Sequence, residues 1–287
     1  MINKGIILAG GTGSRLSPIT KSINKQLIPI YDKPLIFYPI STLMLSNIRE
    51  ILIIVNKGKI KLFNTLLGNG SKFGIKIKYK EQNKPVGIPD AFNIGASFIK
   101  KSNVSLILGD NFFYGSGLSG LLEFANNFDK GCRVFLKNVP NPESYGVAFL
   151  KNKKILNIKE KPRNPLSSKA ITGLYFFDND VIKLTKHLKK SKRGELEITD
   201  LIKIYKKRTQ LNFTELGRGI IWSDVGKIDD LYNISNYVAS TEKVQGTKIA
   251  CLEEIALNKK WINKTQIKKN ITFYGNNPYS NYLKKLI

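Results

Sequence analysis

The run Leu8-Ala9-Gly10-Gly11-Thr12-Gly13-Ser14-Arg15-Leu16 constrains the fold more than any other stretch, because it directly follows the short apolar run Gly5-Ile6-Ile7-Leu8. An apolar run of that length ending in glycines reads as a buried strand that leaves its sheet through a sharp turn. Three glycines in four positions let the backbone come close to a ligand. Successive N–H groups in such a turn form a concave nest for anions. Arg15 adds a fixed charge with several donors. The spacing is not that of a Walker loop, which needs Gly-Lys-Ser/Thr where this chain continues Gly13-Ser14-Arg15. Nor is it the dinucleotide fingerprint, whose third glycine would fall at Leu16. A strand ending in a phosphate nest beside an arginine points to nucleotide chemistry; the competing reading is a purely structural turn.

The first half continues as alternating strands and helices. Strands are expected at 4–8, 51–55, 75–79 and 104–108, with helices at 35–46 (Pro34 suiting its start), 60–67 and 91–99. This βαβα order predicts an α/β fold of Rossmann-like, doubly wound type, whose ligands lie beyond the carboxyl ends of strands. The second half is more mixed. Strands are expected at 133–139, 171–177, 211–216 and 220–222, a hairpin at 145–160 turning on Lys151-Asn152-Lys153-Lys154, and a helix at 197–207. Residues 228–281 are mainly helical in pattern. The expectation is one domain over 1–287, with a catalytic mixed-sheet core to about 226 and a C-terminal helical extension from about 227.

Composition narrows the chemistry. The one histidine, His187, lies among lysines where a solvated helix face is expected, so histidine triads and histidine metal sites are excluded. The two cysteines, Cys132 and Cys251, have neither metal-ligand nor disulfide spacing, and the expected compartment is the reducing cytoplasm. No apolar run approaches the length of a membrane span, and glycines after Ala9 break the pattern a signal peptide would need. The formal charge of +26 comes mostly from lysine, since only seven of the 47 basic residues are arginine. The lysines are scattered, without zinc-finger spacing or an aromatic-basic signature, which argues against a nucleic-acid role.

Two aspartates stand at the exits of apolar runs and beside glycines: Asp110 in Leu108-Gly109-Asp110-Asn111 and Asp224 in Trp222-Ser223-Asp224-Val225-Gly226. Magnesium is commonly held by one or two such carboxylates with phosphate and water, although an aspartate there can equally cap the next helix. With Lys25-Gln26-Leu27, Tyr38-Pro39, Phe113-Tyr114-Gly115, Tyr145-Gly146-Val147, Glu160-Lys161-Pro162, Thr172-Gly173-Leu174-Tyr175-Phe176 and Arg193-Gly194-Glu195-Leu196-Glu197-Ile198-Thr199-Asp200 also in view, the chain resembles, almost end to end, the glucose-1-phosphate thymidylyltransferases among the sugar nucleotidyltransferases.

The resemblance implies transfer of a nucleotidyl group from dTTP to glucose 1-phosphate with release of pyrophosphate. It implies that Leu8, Gly10, Gly11, Gly13 and Ser14 hold the nucleotide, with the glycines cradling the triphosphate. Arg15 and Lys25 would neutralise the leaving pyrophosphate and the reacting phosphate. Gln82 and the backbone at Gly87 would read the base, and Asp110 and Asp224 would hold Mg²⁺. Tyr145, Gly146, Glu160 and Thr172 would contact the hexose, with Lys161 and Arg193 orienting its phosphate. A carboxylate that accepts sugar hydroxyls beside a cation that binds phosphate makes physical sense of Glu160-Lys161. Relatives assemble as tetramers, so a homo-oligomer is expected. The chain departs from the family at Pro89-Asp90, where Ala-Gln/Glu is usual, and at Val225-Gly226-Lys227, where Thr-Gly-Thr is usual. Alternatives are another nucleotide or sugar 1-phosphate, a catalytically silent binding subunit, or a basic nucleic-acid binder.

Overall fold

Residues 6–9, 51–55 and 104–108 are almost wholly apolar, with no polar alternation, as strands buried on both faces must be. In the computed structural model, which describes residues 1–287, they form the centre of one sheet. Chain order begins β1 (Lys4–Ala9), α1 (Ile19–Ser22), β2 (Pro29–Ile30), β3 (Lys33–Pro34), α2 (Phe37–Leu45), β4 (Glu50–Asn56), α3 (Ile60–Leu67), β5 (Lys76–Gln82), α4 (Asp90–Ile99) and β6 (Val104–Leu108). It continues β7 (Phe112–Gly115), α5 (Leu118–Asn126), β8 (Cys132–Asn138), β9 (Gly146–Lys151), β10 (Lys154–Glu160), β11 (Lys169–Phe177), α6 (Val181–Thr185), α7 (Ile198–Lys207), β12 (Leu211–Glu215) and β13 (Ile220–Ser223). Four helices follow: α8 (Ile228–Gln245), α9 (Leu252–Asn258), α10 (Lys264–Tyr274) and α11 (Pro278–Lys284).

The sheet has nine strands along the path β10-β9-β11-β6-β1-β4-β5, with β8 on β11 and β12 on β8. The β6-β1-β4-β5 block is parallel, and β11 enters it antiparallel to β6, making a mixed sheet. Alternate side chains of each central strand feed opposite cores. Ile7, Ile51, Ile53 and Val55 pack under α2, α3 and α5, whereas Ile6, Leu52 and Ile54 pack under α4, α6 and α7. The C-terminal helices are not an appendage to this arrangement: Leu252 and Ala256 of α9 are fully buried in the first core. No helix is long and apolar enough to cross a membrane.

Several local expectations are corrected. Pro34 does not start a helix: it pairs with Pro29 in the β2–β3 hairpin, turned by Tyr31 at φ 59°, and α2 begins at Phe37. Gln82 belongs to β5 rather than following it. His187 is exposed, but in a turn beyond α6 rather than on a helix. At Pro89-Asp90 the helix start accommodates the departure from the family pattern. Pro89 sits at the helix start with φ −58°, and Asp90 opens α4, where a negative charge suits the dipole.

A buried ion network ties the β2–β3 hairpin to the end of α8. The Lys33 ammonium contacts Asp32 and donates to Glu242 Oε1 at 2.9 Å. Lys248 pairs with the same two carboxylates, 3.0 Å from Glu242 Oε2. The Ile249 N–H also donates to Glu242 Oε1, at 2.9 Å. Replacing Glu242 with alanine leaves two ammoniums sharing Asp32, one of them only 3% exposed. Breaking a buried pair from one side typically costs about 3–5 kcal/mol, so Glu242→Ala should lower unfolding stability in urea by an amount of that order. A loss below about 1 kcal/mol, typical of exposed pairs, would show that Asp32 alone neutralises both lysines.

Candidate active site

Parallel register decides which residues meet. Ala9 pairs with Val55, Leu8 with Leu108 and Asn56 with Gln82, so the glycine loop, Asn56, Gln82 and Gly109-Asp110 emerge side by side at the carboxyl ends of β1, β4, β5 and β6. Within the loop, Gly11 has φ 147° and Gly13 φ 60°, conformations that favour glycine. Ser14–Leu16 then forms a single 3₁₀ turn. Gly10 is required for a different reason: the amide of Gln82 lies directly on it, and a Cβ there would run into Nε2.

Asp110 is held at both oxygens. Lys25, 8% exposed, places Nζ 2.6 Å from Oδ2. Asn111 Nδ2 donates to Oδ1 at 3.0 Å. Asp224 arrives from β13, which pairs antiparallel with β7 and ends with Ser223 opposite Phe112. That short ladder carries the chain from Ser223 towards the Asp110-Asn111 exit of β6. The two carboxylates feel each other: burial and Asp110 raise the Asp224 carboxyl above its ordinary range, opposed by Lys25 and Arg15. Arg15 lies against Gly226, where a Cβ would stand 3.2 Å from its guanidinium. The Tyr145 hydroxyl reaches Asp224 Oδ1 at 3.4 Å, and burial followed by the Asp224 charge pushes its phenol up to about 12.

Next to this group opens a cleft of about 220 Å³. Arg15, Tyr145, Gly146, Glu160, Lys161, Arg193 and Asp224, all singled out in the sequence, line it together. Gly146 starts β9 and Glu160 ends β10, paired in register, and Tyr145 and Lys161 lie just outside the two strands on either side of that pair. The Lys161 N–H donates to the Tyr145 carbonyl at 3.0 Å with Lys161 at φ 39°. Arg193 grips Glu197 with Nε at 3.1 Å and Nη2 at 2.9 Å, and stands 3.8 Å from Glu160. Burial, then Glu197, raises the Glu160 carboxyl, while Thr199, Arg193 and Lys161 oppose the shift.

Of the residues expected to contact the hexose, Thr172 is the one that does not line the cleft. Its side chain is fully buried and its Oγ1 has no partner, while Ile171 and Gly173 on either side face the cleft. Leu8, the loop glycines, Ser14, Gln82 and Asp110 lie outside the cleft proper, around the carboxyl ends of β1, β5 and β6, and Lys25 reaches Asp110 from a 3₁₀ turn nearby. Gly87, at φ 125°, bridges to Leu196, and the Leu196 N–H donates to Val86 O at 2.8 Å. Sequence reasoning missed Asn56, Asn111, Glu197 and Trp222. Asn56 ends a strand at the binding edge, which was the available signal. Asn111, Glu197 and Trp222 lie inside motifs named above, beside the residues singled out there. Lys227 also lines the cleft, adding a cation where the family carries a hydroxyl.

A Cβ at Gly87 would collide with the Leu196 backbone, and its φ is unfavourable for any side chain. Forcing such a conformation costs about 1–3 kcal/mol. Gly87→Ala should therefore part the two segments, read as faster hydrogen exchange at the Leu196 amide and a lower midpoint of unfolding. Unchanged exchange would show that the bridge survives the substitution.

The nucleotidyl transferase family model matches residues 4–241. The glucose-1-phosphate thymidylyltransferase of Neisseria meningitidis is 45% identical over 285 residues, covering 99% of each chain. That of Mycolicibacterium smegmatis is 44% identical over the same length and coverage. A crystal structure of a Bacillus anthracis protein, provisionally assigned as a glucose-1-phosphate thymidylyltransferase and complexed with a sucrose, superposes with TM-score 0.75 at 41% identity, over 82% of this chain and 94% of that one. With that end-to-end likeness added to the nest, the carboxylates and the cleft, the chain belongs to the nucleotidyl transferase family, within its glucose-1-phosphate thymidylyltransferase branch.

Proposed function

We propose that the protein transfers a thymidylyl group from dTTP to α-D-glucose 1-phosphate, forming dTDP-glucose and pyrophosphate. The observation that carries this reading is the convergence of the glycine loop, two cations and two carboxylates near the carboxyl ends of β1 and β6, beside a cleft walled by Glu160 and Arg193. A sugar phosphate oxygen attacks the α-phosphorus in line. The new P–O bond forms as the bond to pyrophosphate breaks, and the leaving group keeps the electron pair. Such chemistry needs positioning and charge neutralisation rather than a covalent intermediate.

The loop N–H groups of Gly10, Gly11, Gly13 and Ser14 hold the triphosphate, with Leu8 beneath them. Arg15 and Lys25 neutralise the charge that develops on the pyrophosphate. Gln82 and the Gly87 backbone take the base. Glu160 accepts hexose hydroxyls beside Tyr145, Gly146 and the Thr172 backbone, and Lys161 and Arg193 orient the sugar phosphate. Arg193 lies close enough to Glu160 for one ligand to bridge them.

Asp110 and Asp224 fit a hard divalent cation such as Mg²⁺. They are hard oxygen donors at neighbouring strand exits, and burial followed by the Asp110 charge raises Asp224, a repulsion that a cation between them would relieve. When bound, the cation would neutralise phosphate charge. We assign the enzyme to the cytoplasm and to supply of activated sugar for rhamnose-type surface polysaccharide. We also propose a tetramer with contacts from residues 227–287, where Tyr232, Val244 and Phe273 are exposed apolar groups.

The test is pyrophosphate release across all four NTPs, dTTP and a panel of sugar 1-phosphates. dTTP with glucose 1-phosphate should give the highest kcat/KM; better turnover with ATP or CTP would refute the assignment. Asp110→Asn and Asp224→Asn should each cut turnover by orders of magnitude in folded protein, and EDTA should abolish it. Near-normal rates in both variants would remove the cation from the reading.

Acidification gives a separate check. Because the Glu160 carboxyl titrates above its ordinary range, it takes up a proton earlier as pH falls. Its protonated form is favoured in the folded state, so its contribution to stability is lost as pH rises through the shifted value, while its capacity to accept hydroxyls is lost as pH falls. The KM for glucose 1-phosphate should climb on acidification from above the usual glutamate range, and Glu160→Gln should flatten that limb. An identical limb in the variant would assign it to another group.

A further inference from the structure

Asn56 ends β4 and Gln82 ends β5, in register with one another. Asn56 meets the Gly11 peptide twice. The Gly11 N–H donates to Asn56 Oδ1 at 3.2 Å, and Asn56 Nδ2 donates to the Gly11 carbonyl at 2.9 Å. A peptide cannot exchange its donor for its acceptor. The main chain therefore dictates which way the Asn56 amide faces, a choice that an asparagine in a freer setting would keep open. Asn56 Oδ1 also accepts from Gln82 Nε2 at 3.0 Å, so Gln82 must turn its NH₂ group toward Asn56. The Gln82 amide is only 6% exposed and rests on Gly10, where a Cβ would strike Nε2. One amide hydrogen and Oε1 remain without a partner in the chain, and their order along the amide edge is fixed.

We infer that Asn56 is a positioning residue that sets the enzyme's choice of pyrimidine, because the Gly11–Asn56–Gln82 relay fixes the order of donor and acceptor that Gln82 offers. This rests on the proposed reading of Gln82 as the base contact. Uracil and thymine present an acceptor, O4, beside a donor, N3–H. Cytosine presents a donor, its 4-amino group, beside an acceptor, N3. The two edges are mirror images in hydrogen-bonding order. A glutamine free to flip could serve either. One held by Asn56 matches the first and sets donor against donor and acceptor against acceptor with the second. The base cannot slide to escape the mismatch while its triphosphate is held by the glycine loop. Sites built to pair a polar edge can reject a ligand lacking the match by about 10⁴–10⁵-fold.

The test is the ratio of kcat/KM for dUTP over dCTP, a pair that differs only at this edge, measured by pyrophosphate release with saturating glucose 1-phosphate. Wild type should favour dUTP by at least about a hundredfold, a floor well below the full discrimination such sites reach. Asn56→Ala releases the amide and should shrink the ratio at least tenfold. Asn56→Asp keeps an acceptor facing Gln82, so it should preserve the ratio while weakening all nucleotides alike, because its charge lies next to the phosphate nest. Asn56→Ser, whose hydroxyl can donate or accept, should relax the ratio as alanine does and replaces that variant where it folds poorly. An unchanged ratio in the alanine and serine variants overturns the inference. So does a ratio in the aspartate variant that collapses as far as in the alanine variant, or loss of fold in both the alanine and serine variants, since each makes Asn56 merely structural. A wild-type enzyme indifferent to dUTP and dCTP would instead overturn the reading of Gln82 itself.

Discussion

The arrangement of the site depends on one uncharged side chain. Asn111 is fully buried where β6 ends, and its amide satisfies three partners on three parts of the fold. Its nitrogen donates to Asp110 Oδ1. Its oxygen accepts from the Gly173 N–H at 3.1 Å and from the Trp222 indole at 2.7 Å. Gly173 lies where the pairing of β11 with β8 breaks register between Ile171 and Tyr175, so an N–H freed from the ladder finds its partner in Asn111. Gly173 can lack a side chain at no loss, because a Cβ there would occupy the space of the asparagine amide. Trp222, held by the same oxygen, packs its ring 5.0 Å from that of Tyr145. An aspartate at 111 would have the same shape but no donor for Asp110, and it would set two carboxylates face to face.

The central sheet was legible because burial on both faces leaves an unmistakable mark on β1, β4 and β6. The short ladder of β7 with β13 was only half legible: a strand is expected at 220–222, but four-residue β7 carries no periodic signal, so nothing marks β13's partner. Yet that ladder brings Asp224 toward Asp110 across more than a hundred residues of chain. The two aspartates could each be singled out as strand-end carboxylates, but their mutual influence is a property of β-pairing register, which no local pattern encodes. Thr172 illustrates the reverse case. It stands in a recognisable motif, but strand alternation turns its side chain inward and presents its neighbours instead.

The cleft carries its charges in opposed groups rather than singly. Arg193 is exposed to solvent over part of its length, yet the buried Glu197 holds its guanidinium by two hydrogen bonds, and the Ser191 hydroxyl steadies Glu197 at 2.6 Å. An arginine so braced has few conformations left to lose when an anion arrives. The same segment is stitched to Gly87, so the wall that presents Arg193 and the loop beyond β5 move as one piece.

The burial of α9 has a consequence for biosynthesis. Leu252 and Ala256 complete a core whose other buried side chains all lie at or before Ile220. A ribosome delivers those residues last, at about 5–20 residues per second. Until α9 emerges, the outer face of α2 that it covers stays open to water, although every strand has already been made. The nascent chain thus passes through a stage with its sheet sequence complete and one layer uncovered, and in that interval chaperone capture competes with closure.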